Sequence, residues 1–123
     1  MISIVMPYYM RQEALDRSLD SIRRNYPGND FEIVICDDGS PIPVRAEGCK
    51  VVSLPMKGHA LNPCVPINRA GAASSGDVIV LTNPEVEHRS PILQAMAEGL
   101  GEDDYVMAAC RDESGVWLCS SHV

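Results

Sequence analysis

Phe31-Glu32-Ile33-Val34-Ile35-Cys36-Asp37-Asp38-Gly39-Ser40 decides the fold. An apolar, β-branched run enters Asp-Asp-Gly-Ser, whose residues favour a turn. Such a run reads as a buried strand, Phe31 to Cys36, of the kind found in parallel sheets covered on both faces. Upstream, Ile2 to Met6 reads as a second strand, closed by Pro7. Between the two, Leu15, Leu19, Ile22 and Tyr26 recur at helical spacing. Glu13–Arg17 and Asp20–Arg24 stand four apart with the acid first, the favourable order on a helix. Tyr26-Pro27-Gly28-Asn29 then stops that helix.

Downstream the same rhythm continues. Lys50 to Leu54 reads as a third strand and residues 55–66, with three prolines and a glycine, as irregular. A helix is expected from Ile67 to Ser75, capped by Gly76, then a strand from Asp77 to Thr82. A further helix is expected from Pro91 to Leu100, and a closing pair of strands at Tyr105–Ala109 and Val116–Cys119. Strands alternating with helices predict an α/β, Rossmann-like, mostly parallel sheet with helices on both faces, in one domain spanning residues 1–123.

The composition is that of a globular chain, 46% hydrophobic and 22% charged. No apolar run approaches the roughly 20 residues that a bilayer requires, and no basic leader opens the sequence. Five cysteines show no C-x-x-C spacing, so reduced thiols in the cytoplasm are expected. The net charge is −7, and all of the excess lies in residues 76–123. A nucleic-acid partner needs the opposite bias and is excluded. A cation bridging to a phosphorylated ligand suits this field better.

Ligands of open α/β sheets bind at the C-terminal ends of the strands. The first strand ends in Pro7-Tyr8-Tyr9-Met10, without the glycines of a dinucleotide-binding turn, and no P-loop sequence occurs. The second ends in Asp37-Asp38-Gly39-Ser40 and the fourth in Asn83-Pro84-Glu85. Two carboxylate-bearing turns on one sheet edge suit a nucleoside diphosphate with a divalent cation. Read without that ligand, the first is a turn with a helix cap and the second a plain loop. A phosphoacceptor receiver is excluded, because its acidic pair follows the first strand and it needs a lysine after the last. Here both lysines, Lys50 and Lys57, precede residue 58.

Ile4-Val5-Met6-Pro7-Tyr8-Tyr9, the amphipathic helix and the Phe31–Ser40 segment resemble the opening of family 2 glycosyltransferases. Ile67-Asn68-Arg69-Ala70 and Ser75-Gly76-Asp77-Val78-Ile79-Val80-Leu81-Thr82-Asn83-Pro84-Glu85 continue the likeness, which covers about residues 2–110. The resemblance implies a GT-A fold and sugar transfer, usually with inversion, from a nucleotide-sugar donor, a UDP-sugar being the first to try, to a glycan or other acceptor. It implies that Pro7 and Tyr9 line the base, that Asp38 with Asp37 accepts hydrogen bonds from base or ribose, and that Asn68 sits at the nucleotide edge. Asn83 and Glu85 take the two ends of the family's Asp-x-Asp motif, with Glu85 as metal ligand. One carboxylate where the family has two implies weakly held Mg²⁺ or Mn²⁺.

Met10 stands where the family usually has asparagine. The family's acceptor site and catalytic base are expected beyond the portion present here, and Asp112 and Glu113 are weak substitutes for that base. A donor-binding module that retains the fold without turnover is therefore the alternative to a glycosyltransferase. Further residues singled out are His88, three after Glu85, and His59, in a glycine-flanked loop. Trp117 is expected to anchor the closing hairpin.

Overall fold

The computed structural model describes residues 1–28, 30–56, 62–102, 105–106, 108 and 110–115. The chain divides into two compact units, Met1–Arg89 and Ser90–Val123. The first contains β1 (Ile2–Tyr8), α1 (Gln12–Asn25), β2 (Phe31–Asp37), β3 (Lys50–Ser53), α2 (Cys64–Ala73) and β4 (Val78–Leu81). Its sheet has the order β3-β2-β1-β4, with every pairing parallel. The second unit contains α3 (Ile92–Glu98).

The strand order explains the two layers of helix. The chain steps one way from β1 to β2 and β3, then returns past β1 to lay down β4. Right-handed crossovers in opposite directions place their connections on opposite faces. On the α2 side, Val5, Val34, Cys36 and Ala70 form a buried cluster, with Val52, Leu54 and Ala73 packed against it. On the other side Ile4, Met6, Ile33 and Ile35 are buried, as is the Leu15-Leu19-Ile22 stripe of α1. The α/β, Rossmann-like sheet with helices on both faces is the one expected.

Several boundaries differ from expectation. β1 runs through Pro7 to Tyr8. The Val5 carbonyl faces β4, so the N–H that Pro7 lacks would face β4 too, beyond the last pairing of Val5 with Leu81. No ladder bond is lost there. Helix α2 starts at Cys64, three residues before the expected Ile67. Prolines are tolerated in a first turn, where amides lack intrahelical partners, and Asn62 Oδ1 accepts from the Cys64 N–H at 3.0 Å. β3 and β4 are shorter than expected by a residue or two, and α3 ends before Leu100. Tyr105, Val106 and Ala108 lie in no strand. Met107, Ala109 and the whole of Val116–Cys119, Trp117 included, are outside the described residues, as is His59.

The N-terminal edge of the sheet is closed by a polar knot. Ser3 Oγ donates to Glu32 Oε2 at 2.6 Å and accepts from the Gly76 N–H at 2.8 Å. The Ser75 N–H donates to the same Glu32 oxygen at 2.5 Å. A Cβ on Gly76 would lie 2.6 Å from both Met1 O and Ser3 Oγ, so only glycine fits. The Ser3 hydroxyl, then the Ser75 amide, hold the Glu32 carboxyl below its ordinary value of 4.5. Its contribution to stability is present above that value and is lost as pH falls through the lower folded-state value. Burial likewise holds His88 below its ordinary 6.5, so its protonation opposes the folded state as pH falls below that value. Urea midpoints followed by circular dichroism from neutrality to about pH 3 should therefore fall as acid is added, and Glu32→Gln should remove the lower-pH part of the fall. A variant profile that superimposes on wild type would remove Glu32 from this account.

Candidate functional site

At the opposite edge of the sheet, β1 and β4 are neighbours whose connections leave in different directions. This switch point is where an α/β sheet opens a crevice. A cleft of ≈ 250 Å³ lies there, within the first unit. Pro7, Tyr8 and Tyr9 line it from the end of β1, Arg11 from the following turn, and Asp38 from the end of β2. Pro63 and Pro66 at the start of α2, and Asn83, Pro84 and Glu85 after β4, complete the lining. A larger cleft of ≈ 300 Å³, around Tyr26, Phe31 and Glu32, contains none of the expected site residues.

The two aspartates behave differently. Asp37 Oδ1 accepts from the Ser40 N–H and Oδ2 from the Val44 N–H, both at 3.0 Å. Its carboxylate thus fixes the loop after β2 and does not line the cleft. Asp38, on the other face of the strand, is 2% exposed and does line it. Gly39 then turns at φ +79° and passes so close to Pro55 that a Cβ would lie 2.5 Å from its carbonyl oxygen.

The turn after β1 is locked to the same loop. Met10 has φ +49°, a left-handed conformation that asparagine adopts more readily, and its N–H donates to Ser40 Oγ at 3.0 Å. Gln12 clamps the Arg45 backbone from both sides, accepting from its N–H at 2.9 Å and donating to its carbonyl at 2.8 Å. Burial pushes the Tyr8 phenol up, with the Arg11 backbone amide partly opposing it.

Asn83-Pro84-Glu85-Val86 is a tight turn in which the Val86 N–H returns to the Asn83 carbonyl at 3.1 Å. Pro84 holds the second position, where its fixed φ is favoured. Pro84 is buried, while Asn83 and Glu85 are exposed. Residues 86–88, next in the chain, are sewn to α1. Ser18 Oγ donates to Val86 O at 2.6 Å, Ser21 Oγ accepts from the His88 N–H at 2.8 Å, and Asn25 donates to His88 O at 2.9 Å. His88 Nδ1 meets the Tyr26 hydroxyl at 3.0 Å with the two rings edge to face. His88 is thus a buried anchor that steadies the turn carrying Glu85.

Of the seven expected site residues, Pro7, Tyr9, Asp38, Asn83 and Glu85 meet in the cleft. Asp37 is turned into the loop, and Asn68 stands exposed on α2 outside the lining. Sequence reading missed Tyr8, Arg11, Pro63 and Pro66. Asn62-Pro63 was a legible helix-start signal for the last two. In the second unit, Asp112 Oδ1 accepts from the Ser114 N–H and hydroxyl at 2.9 and 2.7 Å, closing a turn at Gly115. That oxygen is committed to turn structure.

The fit for a divalent cation is partial. Among the described residues no group of three or more His, Cys, Asp or Glu side chains gathers as a cage. The turn after β4 offers one carboxylate and one amide oxygen. Such a pair suits a Mg²⁺-type ion that keeps waters and shares a substrate's phosphates.

The chain matches the family model for Glycosyl transferase family 2 over residues 3–118. It belongs to glycosyl transferase family 2. No curated protein matches it in sequence. Among solved structures it is similar to Staphylococcus aureus TarS, at TM-score 0.66 and 20% identity over 79% of this chain and 19% of that one. A TarS 1–349 structure aligns at TM-score 0.63 and 20% identity, over 80% of this chain and 31% of that one. The mannosyltransferase PcManGT from Pyrobaculum calidifontis, in complex with GDP-Man and Mn²⁺, aligns at TM-score 0.57 and 16% identity, over 76% and 30%. The chain thus spans less than a third of the length of each. These likenesses carry the fold, which is GT-A, and the family model carries the assignment as a glycosyltransferase domain. Among the described residues no helix is long and apolar enough to cross a membrane.

Proposed function

We propose that the switch-point cleft is a nucleotide-sugar donor site, with a UDP-sugar as first candidate, serving inverting transfer to a glycan or other acceptor. What supports this is the gathering of Pro7, Tyr9, Asp38, Asn83 and Glu85 round one cleft at the C-terminal sheet edge. In this reading Pro7 and Tyr9 flank the base and Asp38 accepts its N–H or a ribose hydroxyl. Asn83 and Glu85 would hold Mg²⁺ or Mn²⁺ through oxygen, and such a cation would supply compensation for diphosphate charge. The locked loop from Ser40 to Arg45 presents Asp38 without further ordering on binding, which lowers the entropic cost. Asn68 would act at the nucleotide edge only through a reach the cleft lining does not include. We read the chain's setting as cytoplasmic, where thiols stay reduced.

Calorimetric titration of UDP, with GDP alongside, with and without Mn²⁺ tests the reading. UDP and Mn²⁺ should each tighten the other's binding, because linkage is reciprocal. Glu85→Gln should remove that coupling and leave most metal-free UDP affinity in place. Equal UDP affinity with and without Mn²⁺ in wild type would make the site metal-independent, and no nucleotide binding at all would end the reading. The single carboxylate of the turn favours a second role, donor binding without turnover. Wild-type protein that binds a UDP-sugar yet never releases UDP from it, with or without acceptors, would establish that role.

A further inference from the structure

We propose that the Arg11 guanidinium is the phosphate-holding group of this cleft, gripping the diphosphate of the nucleotide directly. The proposal rests on the donor-site reading and adds a residue to it. Arg11 is the one cation among the cleft's lining residues, facing a site that also presents Asp38 and Glu85. A diphosphate entering between two carboxylates meets repulsion that the partial cation site after β4 only partly relieves.

The ion pair found among the described residues joins the N-terminus to Asp77, so no carboxylate there pairs with Arg11. Its side chain is exposed, yet its root is fixed. Met10 before it is pinned by Ser40 Oγ, and Gln12 after it clamps the Arg45 backbone. A guanidinium presented from a rigid base, with its fork of donors uncommitted to a carboxylate, is suited to two oxygens of one phosphate or to bridging two.

The test compares UDP with uridine, which shares base and ribose but lacks phosphate. Binding of both to the full chain is followed by ligand-observed nuclear magnetic resonance, in chelator so that no divalent cation contributes. Wild type should prefer UDP by about tenfold or more, the size of a charge-assisted contact at an accessible site. Arg11→Met should erase most of that preference while leaving uridine affinity unchanged, and Arg11→Lys should restore part of it as a point charge. Urea midpoints matching wild type will show that the variants fold. Retention of the UDP preference in Arg11→Met would overturn the proposal. So would an equal loss for UDP and uridine, which would move Arg11 to the base or ribose. Failure of wild type to bind either UDP or GDP, even with Mn²⁺, is a different result and would overturn the donor site itself.

Discussion

Gly39→Ala is expected to destabilise the fold by about 3 kcal/mol, combining a left-handed backbone cost of roughly 1–2 with an overpacking cost of roughly 1–3. Gly39 has φ +79°, and an added Cβ would meet Pro55 O at 2.5 Å and Met56 Cα at 2.8 Å. Both neighbours are backbone, so no side chain can swing aside. Urea unfolding measures the loss, and Gly28→Ala is the control because nothing lies within 4 Å of its Cβ. The control should change stability by no more than about 0.5 kcal/mol. A wild-type midpoint for Gly39→Ala would mean that the chain after β2 does not pass against Pro55 as described.

Asp38→Ala should weaken UDP binding by about 1.5–3 kcal/mol, roughly ten- to a hundredfold, because a hydrogen bond to a charged group is lost and the ligand donor is left unmatched. The burial of Asp38 in the cleft wall, at 2% exposure, would shield such a bond from competing water. Asp37, one residue earlier, is a useful contrast. Its carboxylate holds the Ser40 and Val44 amides, so its removal should lower stability before it touches affinity. Calorimetry on the folded Asp38→Ala protein decides the matter. Unchanged UDP affinity would reduce Asp38 to a turn residue.

The sheet was legible because its strands are short β-branched runs that stop at turn-forming residues. Phe31–Ser40 states a strand and its end within ten positions, and the Leu15-Leu19-Ile22 stripe states a helix. Helix α2 was misread at its start because Pro63 and Pro66 read as breakers, whereas a first turn accepts them. The clustering of Pro7, Tyr9, Asp38, Asn83 and Glu85 followed from the rule that strand ends build the site. What no local pattern reveals is which side chain serves the scaffold. Asp37 and Asp38 are chemically alike, and the pleat alone sends one to the loop and the other to the cleft. Nor could Ser18, Ser21 and Asn25 be recognised as the seam that holds His88, since their partners lie more than sixty positions away. Arg11 was one exposed cation among several until the turn before it gave it a direction.

The placement of β4 beside β1 also sets a timetable for a chain made from its N-terminus. β1, β2 and β3, neighbours in the finished sheet, emerge first, while the partner for the other flank of β1 is complete only when Leu81 has emerged. During that interval the nascent chain presents a long apolar strand edge, the kind that invites wrong partners and chaperone attention. The two lips of the cleft, Pro7-Tyr8-Tyr9 and Asn83-Pro84-Glu85, meet only when that flank is filled. The proposed donor cleft is therefore the part of the first unit completed last.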